Sequence, residues 1–507
     1  MARPRTNLRK AARHTGDLYE RGYQYEAERE FTIEFGPWKQ ATTIVYNAGN
    51  IRNEEARYTI SDPHGVIIRA DRIEAVGYIA ANTALTTAVA VGAKGLVIDG
   101  TYYAVMFYRD TSNSDYLTAW TFNGAAYTNH ASTLTSASER VEFVVWGDDV
   151  YFTHSGIANV YKYNKAGTSF AAVAGSPGAG EFIFTLGNNV CIIKYNTTDD
   201  VWEVYWAVDS TPTDWAATGS GNNVIPTSLG NVQGVGFLGE SAYIVCQFGA
   251  YRMTPTGSAT PAFSFSNVPE IEGCVVQYGV ATGDNKIFYT GRRSKLMAYS
   301  GGQVKQILPV VYSRELIYSG AMGCVVNRAG SARPPEFIDT EQLALVGRLT
   351  NLSYDFDCDG PAATSKVNSY YYFDNTGGGI SISNVNPLAG SIDSGNFYTP
   401  FYDIGTEIII KEIDILKVGV ASQMQFDDAT SVYLYVWTNN GSKTTHTIGT
   451  RAVNMDGLVR FPVHAVGRAF SIRLVGVTDK FQIGAGVRGI RIHCRTVKQA
   501  ETSRIKV

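Results

Sequence analysis

Between residues 94 and 312 one pattern recurs five times: a short apolar run, a small polar turn and a longer aromatic-rich run. The turns are Asp99-Gly100-Thr101, Gly147-Asp148-Asp149, Gly187-Asn188-Asn189, Gly239-Glu240-Ser241 and Gly283-Asp284-Asn285. Gly, Asn and Asp suit these places because tight hairpin turns demand positive φ. The turn glycines follow one another at intervals of 47, 40, 52 and 44 residues. Repeats of about 40–50 residues, each holding several strands, mark the blades of a β-propeller. Six or seven blades fit the span, and the pattern does not choose between them.

The flanks extend the β reading. Residues 1–30 form a basic N-terminal arm, with composition that permits a short helix around 16–30. From 31 to 93 come FTIEF, TTIVY, ARYTI, GVIIRA and RIEAVGYIA, divided by turn residues such as Ser61-Asp62-Pro63-His64-Gly65. Segments ALVGRL, SYYYF and GISIS then complete a propeller over 31–394, which closes most economically if its first and last strands share a blade. The rhythm changes near 395. The runs EIIIKEIDILKVGV, SVYLYVW, AFSIRLVGV and GVRGIRIHCRT, with the hairpin signal Asn439-Asn440-Gly441, predict a β-sandwich over 395–497 and a tail at 498–507. Long helical periodicity is absent, so the chain reads as all-β.

At 507 residues there is room for two or three domains. Charged residues make up 18 % of the chain, against about 25 % in an average soluble protein. Tyrosine reaches 31 copies, which suits extensive subunit contacts or, equally, a chain that uses Tyr as a strand former. The net charge of −3 hides an asymmetry. Arg3, Arg5, Arg9, Lys10 and Arg13 crowd the start, and six basic residues face one acid in 488–507. The body between holds 32 basic residues against 45 acidic ones, which argues against its gripping nucleic acid. The six cysteines are scattered without a CxxC pair, so neither a disulfide framework nor a zinc site is expected. No apolar h-region stands in the first thirty residues and no run of 18 apolar residues exists. A soluble protein made in a reducing compartment, without signal peptide or membrane span, is the expectation.

Motifs with chemical potential are few. Asp355-Phe356-Asp357-Cys358-Asp359-Gly360 matches the first half of a calcium-binding EF-hand loop, but Lys366 stands where a bidentate Glu is required. A polar loop is the expectation there. Ser391-Ile392-Asp393-Ser394-Gly395-Asn396-Phe397-Tyr398 is close to an Asp-box but occurs once, as a turn between strands would. Gly484-Ala485-Gly486-Val487-Arg488-Gly489 satisfies GxGxxG, yet a strand-like run follows in place of the helix that a dinucleotide site needs. HExxH, GxSxG and P-loop patterns are missing, and the seven histidines are dispersed. The pairs Asp148/Asp149 and Asp199/Asp200 sit at turns. No catalytic residue, metal or cofactor is expected.

The segment from Trp202 to Trp215, ending Thr211-Pro212-Thr213-Asp214-Trp215, resembles a phrase of β-propeller virion proteins of tailed phages. Pro212 can fix a turn, Asp214 can cap it and Trp215 can fold back onto the blade. The C-terminal strand runs are similar to the close of the same proteins. The resemblance is to tail hub or nozzle proteins of short-tailed bacteriophages, and it implies a structural virion protein and no enzyme. It further implies a ring of six copies in the tail, below the portal or head-to-tail adaptor and beside other tail proteins. Genomic DNA would pass through the channel without sequence-specific contact, and an acidic lining would let it slide. Arg3, Arg5, Arg9, Lys10 and Arg13 would form an assembly arm that docks on a neighbour. Two rival readings are a receptor- or glycan-binding propeller at the tail tip and a propeller glycosidase with two convergent carboxylates.

Overall fold

The computed structural model describes residues 77–308, with gaps at 113, 136–139, 155, 168 and 210, and outside that span the strands named below. The chain divides into two compact units. One comprises Tyr78–Leu345 with Asn351–Asn386; the other comprises Met1–Gly77, Val346–Thr350 and Pro387–Val507.

The first unit is built of antiparallel four-stranded meanders taken in chain order. The first sheet holds Ala88–Ile98, Thr101–Asp110, Tyr116–Phe122 and Tyr127–Thr135. The second holds Glu142–Trp146, Asp149–Thr153, Tyr161–Asn164 and Ala171–Ala172. In the third stand Phe182–Leu186, Asn189–Asn196, Val201–Trp206 and Gly221–Ile225. The fourth runs through Val232–Leu238, Ser241–Cys246, Gly249–Pro255 and Phe263–Val268. Val280–Gly283, Lys286–Gly291, Lys295–Tyr299 and Val304–Leu308 make the fifth. Each opening hairpin turns at one of the five polar triplets. Gly100, Gly147, Gly187 and Gly239 take φ between +58° and +69°, and in the fifth turn Asp284 and Asn285 take the left-handed conformation instead.

Two further strand groups follow. Ser313–Ser319, Gly323–Arg328 and Glu336–Asp339 pair antiparallel. Phe356–Gly360, Ser369–Asp374 and Gly379–Val385 also pair in order, and the last of them takes Gly77–Thr86 as its neighbour, with Leu85 opposite Ile380. The first strand of each sheet lies beside the first strand of the next. The series runs from Ala88–Ile98 through Val280–Gly283 to Ser313–Ser319 and Phe356–Gly360, which again borders Ala88–Ile98.

Burial explains why the sheets stack. Interior strands do not alternate buried and exposed: Val190, Cys191, Ile192 and Ile193 are all fully buried, because each face meets a neighbouring sheet. Each junction has its own core. Phe107, Phe143, Phe152 and Tyr163 join the first sheet to the second. Tyr151, Ile183 and Ile192 join the second to the third, and Phe184, Trp206, Ile244 and Met253 join the third to the fourth. Ala90 and Met106 meet Phe373 and Ile380 across the last junction. Close approach is needed where strands converge: a Cβ on Gly236 would come within 2.7 Å of Ile287 Cγ2.

In the second unit long strands dominate. Tyr402–Val418 lies between Gly486–Gln499 and Leu458–Val477. Tyr23–Glu34 pairs with the outer side of Gly486–Gln499, and Ser431–Trp437 pairs with both Leu458–Val477 and Lys443–Thr447. Ile410, Ile413 and Ile492 are buried here, and buried Asp414 meets His493 Nε2 at 2.7 Å.

Two readings are corrected. The short helix that composition permits around 16–30 gives way over Tyr23–Glu34 to a strand, since its partner Gly486–Gln499 supplies a ladder that local composition cannot foresee. Thr59–His64 likewise pairs with the C-terminal strand Gly395–Tyr398. Phe356–Gly360, expected as a polar loop, is a strand with Asp357 opposite Tyr372 and Asp359 opposite Tyr370. Its extended backbone lacks the wrap around one point that an EF-hand loop makes.

Candidate functional site

The first strands of the successive sheets surround a cavity of about 780 Å³. Lys94, Leu96, Glu142, Val144, Val235 and Phe237 are among the residues that line it. Its wall is largely aromatic and aliphatic, and its charge is gathered on one side.

That charge forms a single network. Lys94 Nζ donates to Glu142 Oε2 at 2.5 Å and to the Phe143 carbonyl at 3.1 Å. Arg140 Nε donates to Glu142 Oε1 at 2.8 Å, and its Nη1 pairs with Glu315 Oε2. The Arg140 guanidinium also stacks on the Tyr278 ring, 4.2 Å from its centroid. The Glu142 and Glu315 side chains are only 8 % and 2 % exposed. Burial works to raise the Glu142 pKa, but the charges and hydrogen bonds of Lys94 and Arg140 outweigh it and hold the carboxyl below its ordinary range.

A pH dependence follows. The Glu142 carboxylate contributes stability that is complete above its unfolded-state pKa of 4.5 and is lost as pH falls through the lower folded-state value. Melting curves of wild type and Glu142→Gln should therefore differ most near neutrality and converge only as pH falls below the lowered folded-state pKa. A gap that stays constant with pH would show that Glu142 is not ionised in the folded protein.

The turn at Thr211–Trp215 is built as the residues suggested. Val208 N donates to the Asp214 carbonyl at 2.9 Å, and Asp214 N donates to the Thr211 carbonyl at 2.9 Å. Asp214 Oδ1 accepts from the amides of Ala216 and Ala217 at 3.1 and 3.0 Å. Trp215 packs on the core between the second and third sheets.

The other singled-out residues disperse. Arg3, Arg5, Arg9, Lys10, Arg13 and Asp355 lie outside the described residues, as do the Asn439-Asn440-Gly441 turn, Asp393, Ser394, Gly484 and Ala485. Gly486–Gln499 is a strand, so no helix opens at the GxGxxG match. Asp149 accepts from Lys162 at 2.6 Å, and Asp200 from the Tyr195 hydroxyl, both around turns. His154 is fully buried, and its Nδ1 accepts from the Gly156 amide at 3.0 Å. Buried His130 lies with Nδ1 2.5 Å from the Gly167 carbonyl; burial lowers its pKa, with the Gly167 contact opposing. Cys191, Cys246 and Cys274 are free and buried, and Cys494 is buried. Among the described residues no group of three or more His, Cys, Asp and Glu side chains could hold a metal ion, and no helix is long and apolar enough to cross a membrane.

Sequence reasoning did not single out Lys94, Arg140, Glu142 or Glu315. A signal was present. Glu142 opens the run EFVVW and Lys94 interrupts VGAKGLVI, each a charge inside an otherwise apolar first strand.

No family model and no curated protein sequence matches the chain. Among solved structures it is similar to BamB from Moraxella catarrhalis, at 11 % identity over 63 % of this chain and 93 % of that one, with a TM-score of 0.37. Apo AztD from Citrobacter koseri matches at 11 % identity over 76 % of this chain and 98 % of that one, TM-score 0.37. A glycoside hydrolase matches at 14 % identity over 80 % and 97 %, TM-score 0.23. BamB and AztD are β-propeller-like proteins, and this chain is nearly all β, with successive four-stranded antiparallel sheets.

Proposed function

We propose that this chain is a structural protein of a tailed-phage virion, a tail hub or nozzle subunit that assembles as a ring of six. In this reading the first unit is a seven-bladed propeller closed by Gly77–Thr86 beside Gly379–Val385, and the C-terminal strands form a sandwich. The ring continues the DNA channel below the portal or adaptor and helps retain and release the genome without sequence-specific contact.

The observation that carries the reading is the built turn at Thr211–Trp215, where the residues of the phage-protein resemblance hold the geometry that gives them a purpose. Glu142 is unsuited to be a glycosidase general acid, which needs a raised pKa, because Lys94 and Arg140 hold its carboxyl ionised.

Native mass measurement of the full chain is the test. The expected result is a species at six times the 55.2 kDa chain mass, and the same protein in six copies per particle. Replacing Arg3, Arg5, Arg9, Lys10 and Arg13 together with Ser should leave the melting temperature unchanged and weaken incorporation into particles, as should high salt on wild type. A chain that stays monomeric at all concentrations and is absent from particles removes the proposal. Cleavage of glycans by such a monomer would favour the hydrolase alternative, and saturable glycan binding without cleavage would favour the receptor-binding one.

A further inference from the structure

The cavity has a property that a structural role does not require. Its volume of about 780 Å³ falls within the roughly 300–1,000 Å³ typical of small-molecule sites. Exposure within its charged network is uneven. The Lys94 and Arg140 side chains are 33 % and 17 % exposed, against 8 % for Glu142 and 2 % for Glu315. Cations therefore form the accessible surface, and the acids that balance them lie behind.

An ammonium group carries three donors. Lys94 gives one to Glu142 and one to the Phe143 carbonyl, which leaves a third for a ligand. Arg140 is held by two carboxylates and the Tyr278 ring, so its orientation is set before anything binds. Leu96, Val235, Phe237 and Tyr278 line the same space, are only half-buried and offer apolar area.

We infer that this cavity binds a small organic anion, whose carboxylate or phosphate group meets Lys94 while an aromatic body lies against Phe237, Leu96 and Val235. A cationic ligand would meet the two accessible cations first. A neutral apolar one would cover the third Lys94 donor without satisfying it. The anion alone would leave the half-buried apolar lining in water. Only the combination uses both parts of the lining.

The experiment is calorimetric titration of the full-length protein with phenyl phosphate and with benzoate, with inorganic phosphate in parallel. The expected result is saturable binding of at least one aromatic anion, one per chain, with Kd below ~1 mM and at least about tenfold tighter than inorganic phosphate. Lys94→Gln should weaken it at least about tenfold. Val235→Trp, which fills the cavity without touching the charged network, should abolish it. No saturable binding of either aromatic anion up to ~10 mM overturns the inference, as does inorganic phosphate binding equally well or affinity that survives Val235→Trp. Should Lys94→Gln fail to fold, the wild-type titrations and Val235→Trp still decide. The ring-forming role is tested by native mass, so either reading can fail alone.

Discussion

Replacing Arg140 with leucine is expected to destabilise the propeller-like unit by about 3–5 kcal/mol, because it takes one ion-pair partner from each of two buried carboxylates. The residue sits between two carboxylates that are almost wholly out of solvent, Glu142 and Glu315, which come from strands 173 positions apart in the chain. Once Arg140 is gone, Glu142 keeps Lys94, but Glu315 loses its ion pair with Arg140. Arg140→Lys should recover part of the loss, since an ammonium keeps the charge but lacks the planar fork and the stack on Tyr278. Urea unfolding of the full chain measures this directly. Combined with Glu315→Gln, the two losses should be clearly less than additive, because both act on one interaction. A cost of Arg140→Leu below ~1 kcal/mol would mean the network is loosely solvated and contributes little.

The second large effect is expected at Phe107. Its side chain is fully buried, with ring centroids 4.9 Å from Phe143, 4.8 Å from Phe152 and 6.0 Å from Tyr163. Truncation to alanine should cost about 3–5 kcal/mol, the transfer term plus the cavity left between two sheets that cannot collapse onto it. The location of the damage is as informative as its size. Hydrogen exchange should accelerate first in Thr101–Asp110, which carries Phe107, and in Asp149–Thr153, whose Phe152 stands against it, while Ser241–Cys246 and Lys286–Gly291 keep their protection. Uniform acceleration across all five sheets would instead show that the unit opens as one cooperative body.

The hairpin rhythm was legible because turn chemistry is local. A triplet such as Gly187-Asn188-Asn189 declares its backbone conformation wherever the chain goes next, and the strands on either side are apolar whether one or both faces are covered. Pairing between distant strands leaves no such mark. Nothing in the stretch Tyr23–Glu34 announces Gly486–Gln499 as its neighbour, so a polar, Glu-rich strand passed for a possible helix. Asp357 and Asp359 misled for the opposite reason. Alternate carboxylates fit a loop pattern, while the partner strand Ser369–Asp374 that holds them extended lies beyond any local motif. The charged network at the cavity was hidden in the same way. Lys94 and Glu142 were each visible as a charge in an apolar strand, but only convergence of the first strands brings them to Arg140 and Glu315.

The pairing of Gly77–Thr86 with Gly379–Val385 sets a timetable for the ribosome. The earlier strand emerges with its partner still unmade, and at about 5–20 residues per second the roughly 290 intervening residues take some 15–60 s. Throughout that interval the sheets between can form one after another, each from a contiguous segment. The seam that joins the two ends must wait. A nascent chain stalled or clipped before residue 379 would keep its middle sheets and yet expose an unpaired edge, open to the same segment of another chain. Synthesis speed, and any chaperone that shields the waiting strand, would thus govern how much of this protein reaches its closed form rather than a swapped or aggregated one.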